Sequence, residues 1–211
     1  MRQEYTNVVI TGVGGLGNIL LTRLMGMALY QRHSRVITSE ERGIAQRTGS
    51  VSAVVRAGRQ IETSCLYSQH TDYLLGLEPL EALRKLSFCQ RGTMTLLSDL
   101  QFPIGRSLAR QRQYPDFQHI VQAFRSHCAV LVIPMKQLLG REQLADRFSS
   151  AVMFGVFCAS YGFSQTFAAQ LLSETVAPAY LEANQRALAT GFDWLEQQNL
   201  PAAPEHGLKR A

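Results

Sequence analysis

The chain has 211 residues, of which 46% are apolar and 18% charged, and its formal net charge is +5. This length suffices for one full-sized domain with a substantial core and is too short for two ordinary ones. The composition excludes a disordered or fibrous protein. The basic excess contains no run of Lys or Arg that would indicate a nucleic-acid-binding surface. An anionic small ligand, an acidic partner surface or ordinary solubility would each account for it.

Short β-branched and apolar runs alternate with segments of helical spacing along the chain. Strands are predicted at residues 7–11, 35–39, 51–56, 93–98 and 128–134, and helices at 16–31 and in the second part of 72–86. From Leu144 onward the pattern is helical, with breaks at Tyr161 and near Pro178. This alternation favours a Rossmann-like α/β fold, a mainly parallel sheet with helices on both faces and a helical C-terminal part. We predict a single domain over residues 1–200 and a loose tail over 201–211.

Cysteine usage and the chain's beginning suggest a cytoplasmic protein. The first residues enter a strand pattern almost at once, so no signal peptide is expected, and the most apolar helical stretch, 150–161, is too short to cross a bilayer. The four cysteines lie far apart without a CxxC pair; they are Cys65, Cys89, Cys128 and Cys158. This spacing argues against a zinc ribbon, an iron–sulfur cluster or a disulfide scaffold. The five scattered histidines do not indicate a metal site either.

A G-x-G-x-x-G motif lies between the first predicted strand and the first predicted helix. In such a loop Gly12 permits the tight turn, Gly14 lets the backbone approach a phosphate, and Gly17 lets the helix pack closely on the strand. The helix N-terminus then offers free N–H groups to an anion. The motif predicts a cofactor-binding loop made of Gly12, Gly14, Gly15 and Gly17. A tight strand–helix turn that binds nothing has the same pattern and stays open as an alternative.

A nicotinamide dinucleotide is the first ligand to consider for this loop. Glu40 and Glu41 stand near the end of the second strand, where an acidic residue would hold the ribose hydroxyls. However, no His or Lys lies in a recognisable hydride-transfer motif. A free-standing NAD(P)-binding oxidoreductase is therefore kept as an alternative only.

The segment SEERGIAQRTGSVSAVVR, residues 39–56, joins the second and third predicted strands. A polar loop there lies beside the carboxyl end of the first strand, which is where ligands bind in such sheets. We predict that Arg42, Arg47 and Arg56 face an anionic ligand or a partner subunit. A solvated loop whose arginines pair with the two neighbouring glutamates fits the residues equally well.

The glycine loop and this segment resemble the gamma domain of 2-oxoacid:ferredoxin oxidoreductases, most of all the small (beta) subunit of the indolepyruvate enzymes. Residues 72–84 look like the family's D-x-L-x-x-x-E-x-x-E-A-L segment, and residues 184–192 like its N-x-x-A-x-x-x-G-aromatic helix. The resemblance runs from about Asn7 to Trp194. Two positions depart from it: Leu16 stands where the family commonly has Gln, and Thr48 where it commonly has Gly.

The resemblance implies a subunit of an enzyme that converts a 2-oxo acid and coenzyme A (CoA) to an acyl-CoA and CO2. Electrons pass to ferredoxin. Thiamine diphosphate, Mg²⁺ and iron–sulfur clusters are expected on a large partner subunit, so this chain would hold no catalytic residue and be inactive alone. Gln46, in the family's Gln-Arg loop, joins the glycines and arginines as a residue for CoA.

Several alternatives for partners and role stay open at this point. A purely architectural role, without any contact to CoA, also fits the resemblance. No nucleic acid or membrane partner is expected. The Phe and Met residues over 152–167 are predicted to be part of the core or an interface, and their density favours association with a second copy or with another subunit.

Overall fold

The computed structural model describes residues 5–43, 49–66, 70–102 and 114–198. The strands within these ranges are β1 Tyr5–Val13, β2 Arg35–Arg42, β3 Ser50–Gly58, β4 Tyr73–Gly76, β5 Met94–Ser98 and β6 Ala129–Ile133. They form one sheet in the order β2-β3-β1-β4-β5-β6. β3 runs antiparallel to both of its neighbours, whereas β1, β4, β5 and β6 are parallel. The mainly parallel α/β sheet is confirmed, and the one reversed strand belongs to a β2–β3 hairpin.

Helices cover both faces of the sheet, as predicted. Those in the described ranges are α1 Asn18–Tyr30, α2 Pro79–Leu83, α3 Phe117–Arg125, α4 Met135–Arg141, α5 Ser149–Tyr161, α6 Gln165–Thr175 and α7 Pro178–Gln197. Successive side chains of a strand point to opposite faces. Val8 and Ile10 of β1 accordingly join a core with α1 and α5, while Val9 joins a second core with α2 and α3. No helix of the described part is both long and apolar enough to span a membrane.

The helical C-terminal part packs on α1 as a layer of its own. α5 is apolar all round, and Met153, Phe154 and Phe157 are completely buried between the sheet and the neighbouring helices. Of the two predicted places, core and interface, these three side chains occupy the core. They fill the core of the monomer, because α5 lies between the sheet and α7 and needs an apolar surface on every side.

Candidate functional site

The glycine loop lies at the carboxyl end of the central strand. β1 ends at Val13, and α1 begins at Asn18 with Gly17 as its N-cap residue. Gly15 and Gly17 have φ angles of 104° and 83°. An L side chain rarely adopts this left-handed region, so both positions favour glycine for conformational reasons. The strand–loop–helix context that the motif requires is present.

Two glycines of the loop are also required by close packing. A Cβ atom on Gly12 would lie 2.6 Å from Asn18 Oδ1 and 3.0 Å from Leu77 Cβ. A Cβ atom on Gly17 would lie 2.3 Å from Ser150 Oγ, at the start of α5. Gly12 thus belongs to the strand rather than to a turn, and Gly17 makes room for another helix rather than for the strand. A Cβ atom on Gly15, in contrast, would meet no atom within 4 Å.

The first turn of α1 has backbone N–H groups without a backbone partner in the described structure. Within the described part of the chain, no backbone acceptor lies against the N–H groups of Asn18, Ile19 and Leu20, as is usual for the first turn of a helix. The Asn18 side chain donates from Nδ2 to Val13 O at 2.7 Å, which fastens the helix start to the strand end. The N–H groups and the helix dipole together favour an anion in front of this turn.

The β2–β3 hairpin closes over the same end of β1. Gly14 N–H donates to Gly49 O at 2.9 Å, and Gly43 N–H donates to Ser50 O at 2.9 Å. The hairpin tip therefore lies beside the glycine loop, as the sequence predicts. The Gly14 N–H itself is occupied by this bond, so the loop's free donors are those that follow it.

The predicted site residues do not all gather at the loop. Arg42 is the last residue of β2, at the hairpin, and its side chain is outside the described structure. The predicted site residues Gln46 and Arg47 lie outside the described residues altogether. Arg56 pairs across from Asn7. Val13 lies six positions further along β1 than Asn7, which is about 20 Å at roughly 3.3 Å per residue.

The guanidinium of Arg56 has structural partners at the far end of β1. Its Nε donates to Asn7 Oδ1 at 3.1 Å, and its NH1 donates to Thr63 O and Cys65 O at 2.8 and 2.7 Å. These bonds hold the segment that follows β3 against the sheet. Arg56 and the glycine loop are thus not brought together.

The arrangement of β2 also bears on the dinucleotide alternative. In the dinucleotide-binding fold the acidic residue follows a second strand that lies directly beside the first. Here β3 lies between β1 and β2, and it runs antiparallel to both. Glu41 instead lies 3.8 Å from Lys85 Nζ. The two glutamates of β2 therefore do not stand where an NAD ribose would be held.

Two buried carboxylates, those of Glu78 and Glu81, lie beyond the carboxyl end of β4, at the start of α2. Glu78 follows β4 and caps α2, accepting from Glu81 N–H at 2.8 Å. It also accepts from Phe102 N–H at 3.3 Å and from the Tyr114 hydroxyl. Burial raises the pKa of Glu78 above its usual value, and the hydrogen bond from Tyr114 partly opposes that rise.

Glu81 links this helix to the hairpin. Its carboxylate is 2% exposed, accepts from Ser50 Oγ at 2.6 Å and forms an ion pair with Arg84 at 2.5 Å. Ser50 is the first residue of β3, directly after Gly49. The hairpin that bonds to Gly14 is thereby anchored to α2 as well, a connection that the sequence alone did not indicate.

A family model described as pyruvate ferredoxin/flavodoxin oxidoreductase matches residues 7–194. The chain belongs to this family. Indolepyruvate oxidoreductase subunit IorB from Archaeoglobus fulgidus is 26% identical over 196 residues, which are 89% of this chain and 94% of that protein. The resemblance to 2-oxoacid:ferredoxin oxidoreductase subunits is thus confirmed.

Solved structures with the same fold include other oxidoreductases of this kind. The gamma subunit of keto/oxoacid ferredoxin oxidoreductase from Geobacter sulfurreducens has a TM-score of 0.61 at 20% identity, over 91% of this chain and 99% of that one. 2-Oxoglutarate:ferredoxin oxidoreductase from Magnetococcus marinus, with 2-oxoglutarate, CoA and succinyl-CoA bound, has a TM-score of 0.68 at 15% identity. Its match covers 95% of this chain and 32% of that one. These likenesses establish the fold of the pyruvate ferredoxin/flavodoxin oxidoreductase family.

The described part of this family member offers groups suited to binding. In the described residues, no group of three or more His, Cys, Asp or Glu side chains is arranged to hold a metal ion. The site offers backbone N–H groups at a helix N-terminus, a hairpin that carries arginines, and a buried acidic anchor behind it. Such a surface can receive an anionic group, and it can equally meet another subunit.

Proposed function

We propose that this chain is the small subunit of a 2-oxoacid:ferredoxin oxidoreductase of the indolepyruvate type. The complex would convert a 2-oxo acid and CoA to an acyl-CoA and CO2 and pass two electrons to ferredoxin. The observation that carries the proposal is the extent of the match: the family model covers residues 7–194, and the Archaeoglobus subunit aligns over almost its whole length. The match thus covers nearly the whole of that subunit and is not confined to one part of it.

Thiamine diphosphate, Mg²⁺ and the iron–sulfur clusters are assigned by this proposal to a large partner subunit. When bound there, they supply the carbanion chemistry and the electron transfer. The present chain would complete the complex and would be inactive alone. Four cysteines without a CxxC pair support this division, because clusters are held by closely spaced cysteine ligands.

We further propose that the glycine loop contacts the pyrophosphate of CoA. The open space at Gly15 and the free N–H groups at the start of α1 favour an anion at this place. Arg42 and Arg47 on the hairpin would add charge-assisted hydrogen bonds, whereas Arg56 would not, since its guanidinium is occupied at the other end of the sheet. A net charge of +5 agrees with an anionic ligand.

An architectural role for the same loop is the second candidate. The bond from Gly14 N–H to Gly49 O and the contact between Gly17 and Ser150 both favour it, because they use the loop to hold three elements together. In this case the hairpin arginines would contact the partner subunit instead of CoA. The two candidates differ in what the loss of an arginine changes.

The experiment compares Arg47→Ala with Arg59→Ala in the complex reconstituted with the large subunit. Arg59 is exposed just after β3, at the opposite end of the sheet, and serves as the matched control. Loss of one charge-assisted bond to CoA should cost about 1.5–3 kcal/mol, a roughly 10- to 150-fold weaker CoA affinity. Weaker subunit association at unchanged CoA affinity would favour the architectural role. If Arg47→Ala behaves like Arg59→Ala in both measurements, the hairpin has neither role.

A further inference from the structure

The two edges of the sheet differ in their chemistry. β2 forms one edge, and four of its eight residues, RVITSEER, are charged. β6 forms the other edge and reads AVLVI. Edge strands exposed to water usually carry charges, proline or a bulge, which prevent pairing with another chain. β2 follows this rule, whereas β6 has the continuous apolar sequence of a strand buried inside a sheet.

The side chains of β6 are only partly covered within the described structure. Ala129 is exposed, Val130, Leu131 and Val132 are half-buried, and only Ile133 is fully buried. Leu131 packs against the core that contains α5, while Val130 and Val132 pack against the core that contains α3. At this edge, apolar side chains of β6 therefore lie on both faces of the sheet.

The backbone of β6 presents hydrogen-bonding groups outward. Asp99 N–H donates to Ile133 O at 3.2 Å, so the polar groups of Ile133 point towards β5. Because these groups alternate along a strand, those of Val130 and Val132 point to the opposite side. The described residues place no strand beside β6 on that side. Unpaired backbone groups in an apolar setting favour the addition of another strand.

We propose that β6 pairs with β6 of a second copy of this chain, antiparallel, across a two-fold axis at Leu131. In this register Val130 of one copy lies opposite Val132 of the other, and the two residues exchange two backbone hydrogen bonds. Leu131 lies opposite its own equivalent as a non-hydrogen-bonded pair, with Cα atoms about 4.5 Å apart. The small Ala129 meets the large Ile133. The two six-stranded sheets become one continuous sheet.

A second copy is the occupant that the sequence of this edge fits. A two-fold axis brings equivalent surfaces together, so a self-pairing strand must not oppose like charges. Residues 127–135, HCAVLVIPM, contain no Lys, Arg, Asp or Glu, and the central Val-Leu-Val is the same in both directions. If β2 paired with β2 of a second copy along its whole length, Arg35 would lie opposite Arg42. This repulsion disfavours dimerisation through the β2 edge.

The test is a charge exchange at Leu131, with the full chain in sedimentation velocity over a concentration series. The wild-type protein should dimerise. Leu131→Lys alone and Leu131→Glu alone should each be monomeric, because the axis opposes two like charges. An equimolar mixture of the two should dimerise again. Thr38→Lys, an exposed change on β2, is the matched control and should leave the wild-type dimer intact.

A cysteine variant tests the same pairing without depending on the folding of the charged variants. In a Cys65→Ser background, Leu131→Cys should form an interchain disulfide under mild oxidation, since a Cα separation of about 4.5 Å is within the range of disulfides. Retained dimerisation by both charged variants overturns the proposal. So does a monomeric wild-type chain, whether the edge is then covered by its own residues or by a strand of the large subunit.

Discussion

Gly155 of α5 and Gly191 of α7 lie against each other where the two helices cross. A Cβ atom on Gly155 would be 3.3 Å from Gly191 Cα and 2.4 Å from Leu188 O. A Cβ atom on Gly191 would be 2.3 Å from Val152 O. The helices therefore touch through their backbones, and this contact fixes the helical layer over the sheet. Gly191 belongs to the N-x-x-A-x-x-x-G-aromatic segment on which the family resemblance partly rests.

Gly155→Ala should destabilise the fold, because the new methyl group has only backbone to displace. We expect a loss of about 1–3 kcal/mol in the free energy of unfolding, or more. Gly140→Ala is the matched control: Gly140 is also helical, but a Cβ atom there meets nothing within 4 Å. That change should stabilise by about 0.4–1 kcal/mol. Urea unfolding of both variants measures the difference, and equal effects would show that the crossing is not tight.

Gly17 and Gly15 should respond differently to alanine. Both have positive φ angles, so each substitution carries a strain of about 1–3 kcal/mol. Only Gly17→Ala also collides with Ser150, whose Oγ would be 2.3 Å away. We therefore expect Gly17→Ala to lower the unfolding free energy by about 1–3 kcal/mol more than Gly15→Ala does. Equal losses for the two variants would contradict the assigned contact between the loop and α5.

Much of the glycine-loop region was predictable because its signals are local. β1, the loop and α1 follow each other directly in the chain, and apolar runs, glycines and helical spacing identify them. The hairpin's position followed from the general topology of such sheets. The reversal of β3 did not, since two successive strands with a polar connection are compatible with either direction.

Three described elements, β4, α3 and α4, were not predicted from the sequence, and the first two show why. β4, YLLG, has only four residues and merges with the helical pattern that follows it. α3, FQHIVQAFR, lies in a polar, arginine-rich region, although Ile120, Val121 and Phe124 form its buried face. β4 is too short to show a period, whereas the apolar residues of α3 do have helical spacing, and the polar residues around them drew attention away from it.

The parts of the site that were not predicted depend on contacts between distant residues. Arg56 lies on a strand whose register places it beside Asn7, and no local pattern reveals a register. The hydrogen bond from Ser50 to Glu81 likewise joins two residues that are distant in the chain. Cys89 and Cys128 likewise lie in one buried apolar cluster, although 38 residues separate them in the sequence.

The carboxyl of Glu78 should make stability depend on pH. Burial raises its pKa above 4.5 in the folded state. The folded protein then binds this proton more tightly than the unfolded chain, so the contribution is fully present below pH 4.5 and is lost as the pH rises through the folded-state pKa. Glu78→Gln removes this loss, because glutamine stays neutral at every pH.

The unfolding free energies of wild type and Glu78→Gln should be compared below pH 4.5 and at neutral pH. The wild-type protein should lose more stability over this interval than the variant. Glu182→Gln, at an exposed carboxylate on α7, is the control and should follow the wild type. Parallel curves for wild type and Glu78→Gln would contradict the raised pKa.

Arg32 should stabilise the C-terminus of α5. Its guanidinium lies over the rings of Phe163 and Tyr161, at 4.3 and 5.1 Å from their centroids. It donates to Tyr161 O at 2.9 Å and to Gly162 O at 2.7 Å. Although Arg32 itself is exposed, removing its two hydrogen bonds and its ring contacts together should cost about 1–3 kcal/mol. Arg32→Ala should lower the thermal midpoint, while Arg23→Ala, an exposed arginine on α1, should change stability by less than about 0.5 kcal/mol.

The most direct test of the proposed function is an activity measurement on the chain with and without its large partner. The two subunits are co-expressed, purified through a tag on this chain, and assayed for dye reduction that depends on a 2-oxo acid and on CoA. We expect the complex to be active, this chain alone to be inactive, and the large subunit alone to have little or no activity. A large subunit that is fully active without this chain, or that never co-purifies with it, would contradict the assignment.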